Sequence, residues 1–152
     1  MAASQTKPEK KTKMKTSKLS FPVICFNHGM AEAVCDYDTL TTTNKLALKP
    51  RGWYHGMIIV DQDGHAIRVK SATKLHGVGP FWGYNLFFNQ RIKVRLNFDD
   101  TPLHVSVEDV RKRVLSSFNQ WHGWQTRDDF DELKGSVEQA ATVAEIIHLV
   151  AS

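Results

Sequence analysis

The residues of this chain that could carry out chemistry are scattered, and one thiol and one imidazole share a short spacing, Cys25 and His28. A structural zinc site needs four ligands, usually in two spaced pairs, and the chain offers this single pair with Cys35 and His55 further on. A cysteine nucleophile would need a base and an electropositive pocket, and the sequence reveals neither. We therefore expect no metal site and no cofactor, and a small Cys-dependent enzyme is the weakest of three functional alternatives.

Paired carboxylates occur at Asp61 and Asp63, which flank Gln62. Aspartate is favoured in turns because its side chain accepts hydrogen bonds from the backbone that follows it. A calcium loop would continue with further oxygen ligands and a glutamate at its twelfth position, whereas His65 and basic residues follow here. The pair predicts a hairpin turn and not a calcium site.

Three aromatic residues, Phe81, Trp82 and Tyr84, lie in a glycine-rich segment predicted to be a loop, 71–85. Its glycine spacing matches neither a dinucleotide-binding fingerprint nor a phosphate-binding loop. Glycines permit tight backbone turns that could present these rings as a recognition surface, since Trp and Tyr often anchor interfaces. The alternative is that the rings fold back and close one end of the core, because large aromatic side chains are mostly buried.

Basic residues alternate along two predicted strands. If those strands share one sheet, five cations lie on the same side: Arg68, Lys70, Arg91, Lys93 and Arg95. Cations beside aromatic rings suit single-stranded nucleic acid, with binding that weakens as salt rises. The alternative is a solvated face whose lysines protect the sheet from edge-to-edge association.

The first hundred residues favour strands. Leu86–Phe98 alternates apolar and polar side chains over its second half, which indicates a sheet with one buried face and one wet face. Met57–Val60 and His65–Lys70 flank the turn 61–64 and predict a β-hairpin. Leu19–Phe26 predicts a further strand, and Thr39–Thr43 and Lys45–Lys49 are candidates for short ones.

After residue 100 the apolar spacing becomes helical. Ser106 is a good N-cap for a first helix ending near Gly123, and further helices are predicted to begin at Thr126 and Thr142. Strands followed by helices indicate an α+β fold. We predict an antiparallel sheet of about four to five strands at residues 19–100, covered on one face by two to three C-terminal helices at residues 104–151.

The positive charge of the chain is concentrated at its N-terminus. The net charge is +4, and residues 1–18 contain six lysines and one glutamate, so the remaining residues carry a net charge of −1. The sequence predicts a disordered Lys-rich tail, 1–18, and a single α+β domain, 19–152. No apolar run approaches the roughly 20 residues of a membrane span, and we expect a cytoplasmic protein with no membrane association.

The functional expectation follows from these exclusions. The sequence favours a non-catalytic interaction domain that binds another protein as an adaptor, a regulator or an immunity-type partner. Its candidate binding residues are the aromatic trio and the five cations named above. The alternatives are a single-stranded nucleic-acid-binding protein that uses the basic tail and basic sheet face, and the Cys25 enzyme.

Overall fold

The computed structural model describes residues 19–79, 90–101 and 103–152. Within these ranges the chain forms seven strands: β1 Val23–Asn27, β2 Met30–Val34, β3 Thr42–Asn44, β4 Ile58–Val60, β5 His65–Gly77, β6 Arg91–Phe98 and β7 Leu103–His104. It forms five helices: α1 Tyr37–Thr41, α2 Val107–Gln120, α3 His122–Gln125, α4 Phe130–Gln139 and α5 Val143–Ala151. A short 3₁₀ helix spans Lys45–Leu48. None of the helices in these ranges has the length and apolar character needed to cross a bilayer.

The strands form one antiparallel sheet in the order β2-β1-β4-β5-β6-β3, with β7 paired to the start of β5. The α+β class is confirmed, and the sheet is larger than the four to five strands predicted. Of the two candidate strands in the poorly patterned middle segment, Thr39–Thr43 overlaps β3 at Thr42 and Thr43 only, and Lys45–Lys49 falls on the 3₁₀ helix and the residue after it. The residues before β3 form α1, because Asp36 accepts a hydrogen bond from the backbone N–H of Thr39 and caps that helix.

Two tight turns connect the strands of the β1–β2 and β4–β5 hairpins. His28 and Gly29 both have positive φ, 49° and 75°, which suits a two-residue hairpin turn between β1 and β2. The predicted hairpin of β4 and β5 is present, and Gly64 supplies a φ of 81° in its turn. The predicted alternation thus places the β4–β5 hairpin correctly.

Strand β5 continues well beyond its predicted end. Residues 71–77 were expected to be loop, and instead they pair with β6 as far as Gly77 opposite Ile92. Register shifts between Val69 and Ser71 and between Lys74 and His76 interrupt the pairing. Such bulges break the two-residue alternation that identifies a strand in sequence, which explains the missed extension.

The sheet curls, so both of its faces are buried in part. Its inner face encloses one core, made chiefly by β1, β4, β5 and β6: Val23, Cys25, Val34, Leu40, Tyr54, Met57, Ile59, Ile67, Val69, Ile92, Val94 and Leu96. Its outer face meets α2, α4 and α5 in a second core: Ile24, Phe26, Ala31, Val60, Ala66, Val110, Val114, Phe118, Leu133, Val137, Ala140, Val143, Ile146, Ile147 and Val150. We call these the inner core and the helical core.

The helices therefore cover a different surface from the one expected. Ile92, Val94 and Leu96 are buried as predicted, but they face the other strands of the curled sheet. The helical layer lies on the outer face over β1, β2 and β4 instead. Curling a sheet brings the apolar side chains of its distant strands together, so β6 needs no helix to cover them.

Local signals place the helix starts better than the stops. Ser106 and Asp109 form a complete capping box at α2, and Thr142 accepts a hydrogen bond from the N–H of Glu145 at α5. The predicted stop at Gly123 is wrong, because α2 ends at Gln120 and Gly123 lies inside α3. The helix predicted from Thr126 begins at Phe130.

Candidate functional site

The outer face of β5 and β6 carries the basic residues identified in the sequence. In β6, Ile92, Val94 and Leu96 point into the inner core, so the alternating Arg91, Lys93 and Arg95 turn outward. In β5, Arg68 stands between the buried Ile67 and Val69. Arg68 is opposite Ile58, which packs against the helical core, so Arg68 also lies on the outer face. We call this surface, with Lys70, the basic face.

The bulge at Lys70 shifts the alternation of β5. Val69 pairs with Phe98, whereas Ser71 pairs with Asn97 and Thr73 pairs with Arg95. Ser71 and Thr73 therefore join the basic face beside Arg95. The side-chain amide of Asn97 donates to both hydroxyl oxygens, at 3.1 Å and 3.3 Å, which forms a cross-strand polar patch.

The charge on this surface is unbalanced. Strands β5 and β6 contain six Lys or Arg residues and neither Asp nor Glu. Arg68, Lys70, Arg91 and Arg95 are exposed. Positive charges that lie side by side raise the local electrostatic potential of the surface, which attracts anionic partners.

Lys93 differs from the other cations of the basic face. It is half-buried, its ammonium forms an ion pair with Asp38 of α1, and it lies 6.0 Å from the centre of the Tyr37 ring. Lys74 lies within β5 opposite Val94 and donates to the side-chain oxygen of Gln90 at 2.7 Å. Lys93 is thus partly neutralised by a residue 55 positions away in sequence, a pairing that sequence patterns do not reveal.

The aromatic part of the predicted site, Phe81, Trp82 and Tyr84, lies outside the described residues. Before this segment, the described residues end at Gly79, two residues after β5, and they begin again at Gln90. Their hydrogen bonds bring the two ends of this gap together, because the N–H of Val78 donates to the carbonyl of Arg91 at 3.0 Å. The described residues that flank the gap, Val78 and Arg91, therefore lie at the far end of the basic face.

Cys25 and His28 are poorly placed for catalysis. Cys25 is fully buried in the inner core, and burial, reinforced by the charge of Glu32, raises the pKa of its thiol far above the usual range. His28 is exposed in the β1–β2 turn, where its Nε2 lies 3.2 Å from the carbonyl oxygen of Gly52. Cys25 and Cys35 are both free thiols. A buried thiol with a raised pKa is a poor nucleophile.

A cleft of about 410 Å³ was not anticipated from the sequence. It lies between the β1–β2 turn and α2, it is lined in part by His28, and its cationic lining comes from Lys112 and Arg113. The guanidinium of Arg113 lies 5.8 Å from the ring centre of Phe26. In the sequence, the run of three basic residues at 111–113 is the feature from which this cleft could have been suspected. Only the packing of α2 shows that Lys112 and Arg113 line it.

Comparison with family models, with curated proteins and with solved structures gave no match. Function has to be argued from the chain's own geometry.

Proposed function

We propose that this chain is a non-catalytic binding module that docks on the acidic surface of a partner protein through its basic face. The observation that carries the proposal is the charge pattern of the basic face, where Arg68, Lys70, Arg91 and Arg95 are exposed and neither β5 nor β6 contains a carboxylate. Among the described residues, α2, α4 and α5 pack on the other half of the outer face, and the arginines of the basic face stay exposed. A partner would thus meet a rigid strand surface whose charges are already positioned.

The polar patch beside Arg95 supports a protein partner. Ser71, Thr73 and Asn97 hold one another through side-chain hydrogen bonds, so little side-chain entropy is lost when a partner covers them. Uncharged hydrogen-bonding groups beside arginines are typical of protein interfaces. Strands β5 and β6 present no Phe, Tyr or Trp outward, since β5 has none and Phe98 packs against the inner core.

Single-stranded nucleic acid is the second candidate. The same basic face would contact phosphates, and the lysines of residues 1–18 would add to that attraction. Stacking of bases would then depend on Phe81, Trp82 and Tyr84 in the segment between the two strands. The lack of outward rings in β5 and β6 ranks this candidate below the protein partner.

The test replaces the charges at the centre of the basic face. A photo-crosslinking amino acid at Thr73 captures neighbours in extracts of the source cells, and the double variant Arg91→Glu, Arg95→Glu is compared with the wild type. We expect at least a tenfold loss of the crosslinked protein because two attractive contacts become repulsive. The matched control, Lys112→Glu with Arg113→Glu, reverses two exposed charges on α2, in the helical layer away from β5 and β6.

Two outcomes contradict the proposal. Equal crosslinking by the Arg91→Glu, Arg95→Glu variant would show that the basic face is not the docking surface. Crosslinked material that nuclease removes, together with salt-dependent binding of a 20-nucleotide oligothymidine in fluorescence anisotropy, would establish the nucleic-acid candidate instead. Circular dichroism of each variant verifies that the fold is intact.

A further inference from the structure

The turn between β4 and β5 holds a buried carboxylate that the proposed binding function does not use. Asp61 is 1% exposed. Its Oδ1 accepts hydrogen bonds from the backbone N–H groups of Asp63 at 2.9 Å and His65 at 3.0 Å. This oxygen has the ordinary turn-forming role predicted for the residue.

The second oxygen of Asp61 has no such role. Among the described residues, no group donates a hydrogen bond to Oδ2. The Nδ1 atom of His65 lies 3.4 Å from it, and the two atoms form no hydrogen bond. A buried carboxylate oxygen without a donor is costly, because the water that would solvate it has been removed. The arrangement therefore calls for a positive group at Oδ2.

Two further potential ligand residues lie beside the Asp61 carboxylate. One carboxylate oxygen each from Asp61 and Asp63 and one ring nitrogen of His65 all lie within 4.8 Å of one another. Ligands around a tetrahedral zinc ion with bonds of about 2.1 Å are separated by about 3.4 Å, which is also the Oδ2–Nδ1 distance. Two carboxylates and one imidazole form a donor set suited to Zn²⁺.

We propose that Asp61, Asp63 and His65 bind one Zn²⁺ ion at the β4–β5 turn. The ion accepts Oδ2 of Asp61 as its buried ligand, and it reaches the site from solvent because Asp63 and His65 are exposed. Water completes the coordination on the open side. The backbone supports the site, since Gly64 adopts a φ of 81° and its carbonyl lies 2.9 Å from Nδ1 of His104.

The experiment is isothermal titration of the full chain with Zn²⁺ in a Cys35→Ser background, which removes an exposed thiol that would compete for the ion. We expect one equivalent to bind. Asp63→Asn and His65→Gln should each weaken binding at least tenfold, because each removes one of three protein ligands. Both residues are exposed, so these variants should keep the fold. Asp61→Asn should weaken binding too, while its amide oxygen retains the Oδ1 hydrogen bonds.

The matched control is Asp99→Asn with His76→Gln, which removes a carboxylate and an imidazole away from this turn and should leave the affinity unchanged. Mn²⁺ gives a second readout by selectively broadening the amide NMR signals of residues 61–65. The proposal is overturned by the absence of saturable one-equivalent binding. It is equally overturned if Asp63→Asn and His65→Gln bind Zn²⁺ as tightly as the parent.

Discussion

At the scale of single residues, Tyr54 links the inner core to α1. Its side chain is buried, and its hydroxyl donates to the carbonyl of Leu40 at 2.7 Å. Replacing Tyr54 by Phe keeps the ring and leaves that carbonyl without its donor. We expect Tyr54→Phe to lower the free energy of unfolding by about 1 kcal/mol at pH 7, measured by urea denaturation. An unchanged unfolding midpoint would show that water replaces the hydroxyl.

The same residue predicts how stability changes at high pH. Burial raises the pKa of Tyr54 to about 12, whereas an unfolded tyrosine titrates near 10. The folded state therefore favours the neutral phenol, and this contribution to stability is complete below pH 10 and is lost as the pH rises towards 12. Tyr54→Phe lacks that titration, so the stability difference between wild type and variant should shrink across this range. A constant difference would contradict the assignment.

At the scale of elements, helix α2 depends on the box at its N-terminus. The hydroxyl of Ser106 accepts from the N–H of Asp109 at 3.2 Å, and the Asp109 carboxylate accepts from the N–H of Ser106 at 3.3 Å. The hydrogen bonds from Ser106 also hold the pKa of Asp109 below its usual value. Ser117 connects α2 to the sheet, because its hydroxyl oxygen accepts a hydrogen bond from the backbone N–H of Ala31 in β2 at 3.0 Å.

Removing this cap should destabilise the whole domain. We expect Ser106→Ala to lower the free energy of unfolding by about 1 kcal/mol at pH 7 in urea titrations, while Ser106→Thr retains most of the wild-type stability. Because the pKa of Asp109 is lowered in the folded state, its contribution is present above about pH 4 and disappears as the pH falls. The two proteins should therefore converge in acid. If Ser106→Ala matches the wild type at pH 7, the cap contributes nothing measurable.

At the scale of the whole molecule, the two cores share their strands. In β1, Ile24 belongs to the helical core and Cys25 to the inner core, and β4 is divided in the same way between Val60 and Ile59. Loss of the packing on one face of a strand also disturbs the packing on its other face, because both sets of side chains are attached to one hydrogen-bonded backbone. The two cores should therefore unfold as a single cooperative unit.

This cooperativity can be measured with one mild truncation in each core. Ile92→Val in the inner core and Ile146→Val in the helical core should each cost about 1 kcal/mol. Each should shift the urea transitions of helical circular dichroism and of tryptophan fluorescence by the same amount. Trp53 packs against the inner core and Trp124 against the helical core, so Trp→Phe variants separate the two signals. Transitions that separate in either variant would reveal two independent units.

Several local features were predictable because the interactions that create them span only a few residues. The alternation of Ile92, Val94 and Leu96 identifies β6, Ser106 and Thr142 identify two helix starts, and Gly64 identifies a turn. In each case the side chain acts on its own backbone or on neighbours within one turn. The outward direction of the basic residues in β6 follows from the same alternation.

Strand β2 and the far half of β5 were not predictable, because partners distant in sequence stabilise them. Met30–Val34 is a strand because it completes the hydrogen bonds of β1 and lies under α2 and α5. Residues 71–77 are a strand because β6 pairs with them across two bulges. Neither segment has a strong alternation of its own.

The sequence by itself determined the α+β class, the position of the best strands and helices, and the concentration of cations on β5 and β6. Only the tertiary structure decided which surface each face meets: the curl that buries β6 against other strands, the ion pair of Lys93 with Asp38, and the burial of Asp61 beside His65. Local patterns are set by steric and hydrogen-bonding effects within a few residues. Burial and charge pairing depend on contacts that form only when distant segments come together.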